Sequence, residues 1–314
     1  MSPTVIYEYD DKVLPTEGCV LTLGFFDGVH IAHRDLINKG REIADDMGIP
    51  LGVFTFRADE QMKPDTKRLY STEERLEIFR EIGVDFVVLV DFTSVRSLSP
   101  EDFVKDVLVK KIGCKVAVIG YNFRFGKNAQ GDADTLCKLM AECGGRGEMR
   151  EELTLDGQTI SATLVRSLLE QGRTEEANRL LGKPFRLFST VEHGNGMGKS
   201  FGYPTINTKI EAWRISLRRG VYRTAVKIKN NLYAGLTNIG VCPTFKEREL
   251  HAETYILDFA GDLYGEKAEI FLLEFMRDEM RFESEKELIM QINIDKKQAI
   301  EKNGEEKWQE LGLK

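Results

Sequence analysis

V-L-T-L-G-F-F-D-G-V-H-I-A-H, Val20 to His33, is the stretch from which the first half of the chain can be read. Val20 to Leu23 is a short apolar run closed by Gly24, the pattern of a buried strand. Beyond the turn, Leu36, Ile37, Ile43 and Met47 follow a helical pattern, and Gly48 is a stop. The same strand-turn-helix unit then repeats. Leu51 to Phe56 reads as a second strand, and Ser71-Thr72-Glu73-Glu74 as a capping box opening a helix through Ile82. Val84 to Val90 reads as a third strand, Ser99-Pro100-Glu101-Asp102 as a helix start with its stop near Gly113, and Lys115 to Ile119 as a fourth strand. Strands that alternate with helices imply a parallel sheet covered on both faces, with ligands at the carboxyl ends of the strands.

His30 and His33 fall just past the first strand, at such an end. Two imidazoles there suit the phosphates of a nucleotide and the charge that develops as pyrophosphate leaves. Histidines at i and i+3 also serve as helix caps, surface residues or metal ligands, although no further ligands for a metal accompany these. Ser161, Thr163 and Arg166 begin another helical stretch. They fit either a phosphate at a helix N-terminus or an ordinary cap before Leu164, Leu168 and Leu169.

A short helix from Thr174 to Leu181 ends at Gly182, and Lys183-Pro184 breaks its continuation. The domain boundary is therefore expected there, giving domains 1–182 and 183–314. Past it the period changes. Val221 to Ile228, Leu232 to Leu236, His251 to Phe259 and Ala268 to Phe275 read as strands, with a turn at Asn230-Asn231. This pattern predicts a compact antiparallel barrel, closed by a helix from Ser284 to about Lys302 that packs through Leu288, Ile289 and Ile292.

Ahead of the barrel strands stands G-N-G-M-G-K-S-F-G-Y-P-T-I-N, Gly194 to Asn207. Gly194, Gly196 and Gly198 allow backbone N–H groups to approach an anion, Lys199 adds a point charge, and Gly202 permits a second turn. The spacing matches neither a P-loop nor a dinucleotide fingerprint, so a phosphate cradle and a mobile surface loop are both open. Thr205 and Asn207, at i and i+2 of an extended segment, present neutral oxygens on one side, an arrangement suited to a magnesium ion shared with a nucleotide. Glu253 shares a strand face with Tyr255, Leu257 and Phe259. Desolvation on such a face would make it a better proton acceptor; a salt-bridged or strand-edge glutamate is the other reading.

Composition bounds these readings. The 314 residues suffice for two domains, and 42% hydrophobic with 30% charged residues fits a soluble globular chain. A net charge of −7 argues against broad nucleic-acid binding. No apolar run of about 18 residues predicts a membrane span. No secretory signal is visible, and the five cysteines form no C-x-x-C pair; the expected location is cytoplasmic, with reduced thiols and no zinc site.

The segment G-M-G-K-S-F-G-Y-P-T-I-N, Gly196 to Asn207, is similar to the glycine-rich P-T-x-N segment of riboflavin kinases. The likeness continues through Gly220-Val221-Tyr222, Asn238-Ile239-Gly240, Pro243-Thr244-Phe245, Ala252-Glu253-Thr254, Asp262-Leu263-Tyr264-Gly265 and Arg281-Phe282. The first half resembles the FMN adenylyltransferase domain fused to that kinase in bacterial bifunctional FAD synthetases. Gly24, Phe26, Asp27, Gly28, His30 and His33 match its H-x-G-H nucleotidyltransferase signature. The resemblance implies a Rossmann-like nucleotidyltransferase domain followed by a riboflavin-kinase barrel.

For the second domain it implies ATP-dependent phosphorylation of riboflavin to FMN, with Glu253 as catalytic base and Mg2+ at Thr205 and Asn207. The glycine loop and Lys199 would face the ATP phosphates, and Arg277 and Phe282 the flavin. For the first domain it implies nucleotide contacts at the signature residues and at Ser161, Thr163 and Arg166, with flavin contacts at Asn122 and Arg124. Departures accompany these matches. Ala32 replaces the glycine between the histidines, the His-Pro pair after the second strand is absent, and Asn122, Ala129, Ala162 and Asp278 replace the usual aspartate, arginine, serine and proline. The expected function is therefore a riboflavin kinase whose adenylyltransferase activity is doubtful. Two alternatives stand beside it: a fully bifunctional FAD synthetase, and a first domain that only binds flavin or nucleotide or regulates. The expected partners are flavins and adenine nucleotides, without nucleic acid or membrane.

Overall fold

The computed structural model describes residues 4–9, 18–57, 67–191, 205–229, 231–241, 250–257, 259, 263, 265–302, 308 and 311–313. The chain divides into two compact units, Met1–Ala162 and Thr163–Lys314.

The first unit is built on a six-stranded sheet of β1 (Val5–Glu8), β2 (Cys19–Leu23), β3 (Leu51–Phe56), β4 (Phe86–Val90), β5 (Cys114–Gly120) and β6 (Arg146–Arg150). Its order is β1-β4-β3-β2-β5-β6, and every pair is parallel. The helices are α1 (Ile31–Met47), α2 (Thr72–Glu81), α3 (Phe92–Val95), α4 (Pro100–Asp102, running on as a π-helix over Phe103–Lys111) and α5 (Ala133–Glu142). The hairpin β7 (Thr154–Leu155) and β8 (Gln158–Thr159) follows β6. Strands β2, β3 and β4 are buried almost throughout, which explains their continuous apolar runs. The third expected strand begins at Phe86 rather than Val84 because Asp85 is used otherwise: its carboxylate accepts from Leu51 N–H at 2.8 Å and pairs with Arg41 at 2.9 Å. Gly40 lets α1 lie close to the sheet, since a Cβ there would come within 2.8 Å of Leu51 and Thr22. From β2 the chain builds outward first through β3 and β4, then on the other side through β5 and β6. The reversal between β2 and β5 is the crevice where open parallel sheets bind ligands.

The second unit contains α6 (Ala162–Glu170), whose first residue falls in the first unit, α7 (Thr174–Leu181) and six strands. These are β9 (Phe185–Thr190), β10 (Thr205–Ile210), β11 (Gly220–Ile228), β12 (Asn231–Val241), β13 (Leu250–Ile256) and β14 (Lys267–Arg277). They form one antiparallel sheet in the order β10-β13-β12-β11-β14-β9. Its two outer strands approach one another, and Thr208 on β10 donates to the Ser189 hydroxyl on β9 at 2.8 Å. The interior carries a hydroxyl ladder: Thr237 is bonded to Thr224 at 3.1 Å and to Thr254 at 2.8 Å, all three fully buried. Paired in this way, the three hydroxyls meet no desolvation penalty. The chain closes with α8 (Glu285–Lys302), in which Asp295 and Ala299 are buried while Leu288, Ile289 and Ile292 are only half-buried.

Candidate active sites

In the first unit the turn after β2 is held in an unusual backbone. Phe26 and Val29 have φ of 57° and 44°, and Gly28 has φ of 83°. Such left-handed conformations in bulky residues persist only where their surroundings enforce them. Phe26 is buried against Phe79, and the buried Asp27 accepts from Leu69 N–H at 3.0 Å, which fastens the turn to the segment before α2. His30 is the N-cap of α1: its Nδ1 accepts from His33 N–H at 3.3 Å. With Nδ1 so used, the neutral imidazole keeps its proton on Nε2, available for donation. The His30 and His33 rings stack at 3.6 Å, and the edge of His33 meets Phe26 at 5.0 Å. Burial lowers the His30 pKa to about 4. Burial, His30 and Arg75 together hold His33 well below the usual histidine range. Both rings are uncharged at neutral pH and can meet a phosphate as neutral hydrogen-bond partners.

Beside this turn opens a cavity of about 440 Å³. Phe54, Phe56, Phe92, Phe103, Phe123 and Phe125 supply its aromatic lining. Successive pairs of these rings pack at 5.4 to 5.8 Å, mostly edge to face. Gly24, Arg124 and Ala129 also line it, so the start of the turn after β2 borders the aromatic cavity. Arg124 pairs with Asp132 at 3.5 Å, while Asn122 is exposed and outside the lining. Arg57, where the expected His-Pro pair is missing, binds Glu8 at 2.5 Å and Asp91 at 3.2 Å. At the start of α6, Arg166 donates to Thr163 at 3.1 Å; Ser161 immediately precedes that helix.

In the second unit the register sets three polar residues in a row. Glu253 on β13 is the partner of Asn207 on β10 and of Asn238 on β12. Directly opposed residues of an antiparallel pair point to the same face. Asn207 is half-buried and Glu253 exposed. On the same side of β12, a Cβ at Gly240 would lie 2.2 Å from a carboxylate oxygen of Glu279, so glycine admits that carboxylate beside Asn238. Gly194, Gly196, Gly198, Lys199, Gly202 and Pro204 lie outside the described residues; Thr205 opens β10 opposite Tyr255.

Family models match the two halves in turn: one described as FAD synthetase over residues 13–164, the other as riboflavin kinase over residues 181–302. The chain belongs to the bifunctional riboflavin kinase/FMN adenylyltransferase family. Its relatives of that name include the protein of Listeria monocytogenes, 34% identical over 285 residues, which cover 88% of this chain and 90% of that one. The protein of Escherichia coli strain K12 is 36% identical over 293 residues, 91% of this chain and 93% of that one. The crystal structure of a Streptococcus pneumoniae protein described as a macrolide-efflux protein aligns with a TM-score of 0.83 at 27% identity, over 93% of this chain and 98% of that one. No helix among the described residues is long and apolar enough to cross a membrane.

Within this family frame two expectations change. The alternation in β13 groups Glu253 with Tyr255 and Leu257, and their face is not the barrel interior. Ala252, Thr254 and Ile256 point inward, the threonine satisfied by the hydroxyl ladder. Leu257 is buried beside Leu236, Val221 and Ala299 of α8, with Tyr255 packed against them, while Glu253 is exposed. The burial expected of Glu253 is therefore absent, and the row of asparagines is the environment it does have. Arg277 is likewise engaged. Its guanidinium binds the buried Asp295 of α8 at 2.7 to 3.2 Å and donates to Asp278 O at 3.1 Å, so it clamps β14 to the terminal helix. Asp278, where proline is frequent, is held by both Arg218 contacts at 2.9 Å. Phe282 is half-buried in the segment before α8. Sequence reasoning did not find the aromatic cavity, Asn238, or the buried Arg75. Paired phenylalanines at i and i+2, 54/56 and 123/125, were the available signal for the cavity.

Proposed function

We propose that the chain is a fully bifunctional FAD synthetase, which phosphorylates riboflavin with ATP to give FMN and ADP, then joins FMN to a second ATP to give FAD and pyrophosphate. The observation that carries the second activity is the turn that runs from Gly24, in the lining of the aromatic cavity of about 440 Å³, to the neutral, capped His30/His33 pair, the cavity having a volume suited to a planar ring system. The relatives' shared name and the family match over residues 13–164 support the same reading, and outweigh the departures at Ala32 and Ala129. In that reaction an FMN phosphate oxygen attacks the ATP α-phosphorus as the bond to pyrophosphate breaks. His30 donates from Nε2 to phosphate oxygen, and Ser161, Thr163 and Arg166 add contacts at the start of α6. Arg124 at the cavity rim serves the flavin side; Asn122 is a more distant contributor.

For the kinase, the proposed base is Glu253, oriented between Asn207 and Asn238. It takes the proton of the ribityl 5′-hydroxyl as that oxygen attacks the γ-phosphorus. Asn207 and Glu253 present oxygen donors, which suit Mg2+ bound by Thr205 and Asn207 and shared with the nucleotide. Bound there, Mg2+ neutralises charge on the ATP phosphates. The glycine loop with Lys199 completes the phosphate contacts, and the boundary proposed from the sequence, 1–182 and 183–314, falls after α7, whereas the compact units divide at Ala162. A cytoplasmic location fits substrates of this kind.

The test separates the sites. His30→Asn is expected to abolish FAD formation from FMN while riboflavin phosphorylation continues. Glu253→Gln is expected to do the reverse. Loss of both activities in either variant would contradict two independent sites.

A further inference from the structure

Helix α2 carries a buried cation whose hydrogen bonds go to carbonyl and hydroxyl oxygens. Arg75 is 1% exposed. Its Nη1 donates to Phe25 O at 2.5 Å and to the Thr55 hydroxyl at 3.0 Å; its Nη2 donates to Phe56 O at 2.6 Å. The Thr55 hydroxyl in turn donates to Phe25 O at 3.0 Å. The guanidinium also lies 4.7 Å from the centre of the Phe25 ring, on which Arg68 stacks at 4.8 Å. Its Nε is buried without a hydrogen-bond partner among the described residues. Asp27 and Glu73 act on it through their charge alone; burying a cation whose hydrogen bonds go to carbonyl and hydroxyl oxygens is costly, and a neutral amide would satisfy one of these carbonyls at less expense. What a neutral amide lacks is the planar fork that reaches two strands at once.

The two carbonyls belong to the two walls of the first-unit site. Phe25 begins the turn that leads to His30 and His33, and Phe56 closes β3 with its ring in the cavity lining. We propose that Arg75 is a positioning residue that ties the phosphate-side turn to the flavin-side cavity, fixing the separation at which the FMN phosphate meets the ATP α-phosphate. This inference rests on the adenylyl-transfer reading above. A reacting group displaced by about 1 Å costs on the order of 100-fold in rate, so the clamp acts on the chemical step more than on either binding event.

The experiment uses the full chain with Arg75→Met, Arg75→Lys and Thr55→Val, the last keeping the cation and removing one bridging hydroxyl. Steady-state FAD formation is measured with FMN and ATP varied in turn, alongside amide hydrogen exchange and riboflavin phosphorylation as an internal control of folding. In Arg75→Met, kcat for FAD is expected to fall about 100-fold with both KM values within about threefold, and exchange to rise over both 25–33 and 54–57. Arg75→Lys is expected to recover part of kcat, and Thr55→Val to show a smaller loss in the same direction. Unchanged exchange in either segment overturns the clamp whatever the activity. Raised exchange with unchanged kcat, or a loss confined to one KM, overturns the positioning role. If the wild-type chain makes no FAD while Arg75→Met loosens both segments, the activity reading fails and the clamp stands.

Discussion

Asn207 and Glu253 face one another across the β10–β13 ladder, and the exposed carboxylate is flanked on its other side by Asn238. Because Glu253 is outside the core, replacing it removes chemistry without removing packing. Glu253→Gln is expected to lower riboflavin phosphorylation by about 100- to 10,000-fold, the usual worth of a general base, while thermal stability stays within about 0.5 kcal/mol. Product chromatography and a melting curve check the two halves of this statement. A large loss of stability would mean that the carboxylate is structural.

The histidine pair makes the first unit acid-sensitive. His30 titrates at about 4 when folded and near 6.5 when free, so between those values the unfolded chain holds more protons than the folded one. Protons then favour unfolding: stability is full above about pH 6.5, falls as the pH drops towards 4, and levels off below. The expected span for His30 is on the order of 3 kcal/mol. His30→Asn keeps a helix cap and removes one of the two titrations, so it is expected to reduce this slope, with His33 keeping its own share, in denaturant unfolding measured from pH 7 to 5. An unchanged slope would remove His30 as its source.

Phe123 reaches the cavity from the strand-to-helix segment after β5. Phe123→Ala is expected to raise KM for FMN on the order of tenfold, through lost aromatic contact and area, with kcat for riboflavin phosphorylation unchanged. Fluorescence titration with FMN gives the affinity directly. No change would mean that the flavin ring binds elsewhere.

The Arg277–Asp295 pair fastens the last helix to the barrel, with the Asp295 side chain 4% exposed. Asp295→Ala leaves the guanidinium without its partner and is expected to destabilise the second unit by about 2 to 3 kcal/mol, which falls below the usual cost of breaking a fully buried pair because Arg277 is partly exposed. Urea unfolding followed by tryptophan fluorescence reads this. A variant of unchanged stability with weakened riboflavin binding would instead restore Arg277 to the flavin.

The sequence made the two architectures and the His30/His33 turn legible because each rests on local information: a period, a cap or a contiguous motif. The cavity is assembled from phenylalanines at 54, 56, 92, 103, 123 and 125, brought together by strand order, which no local pattern encodes. Arg75 reads in sequence as an ordinary polar position of an amphipathic helix, since nothing local tells a buried arginine from an exposed one. The exposure of Glu253 escaped the sequence for a different reason. Alternation identifies which residues of β13 share a face, but here the smaller and hydroxyl-bearing set, Ala252 and Thr254, fills the interior, while α8 covers the apolar end of the other face. The departures from the family motif were also visible in sequence. Their weight was not, because Ala129 lines a cavity whose aromatic walls are intact, and the histidine stack is intact as well.

The central claim is that the first unit still joins FMN to AMP. The most direct measurement incubates the wild-type chain with FMN, ATP and Mg2+, in the absence of riboflavin, and follows FAD by chromatography together with released pyrophosphate. FAD and pyrophosphate are expected in equal amounts, with FAD formation lost in His30→Asn and kept in Glu253→Gln. FMN left unconverted by a chain that phosphorylates riboflavin normally would contradict it, and would make the first unit a binding or regulatory module.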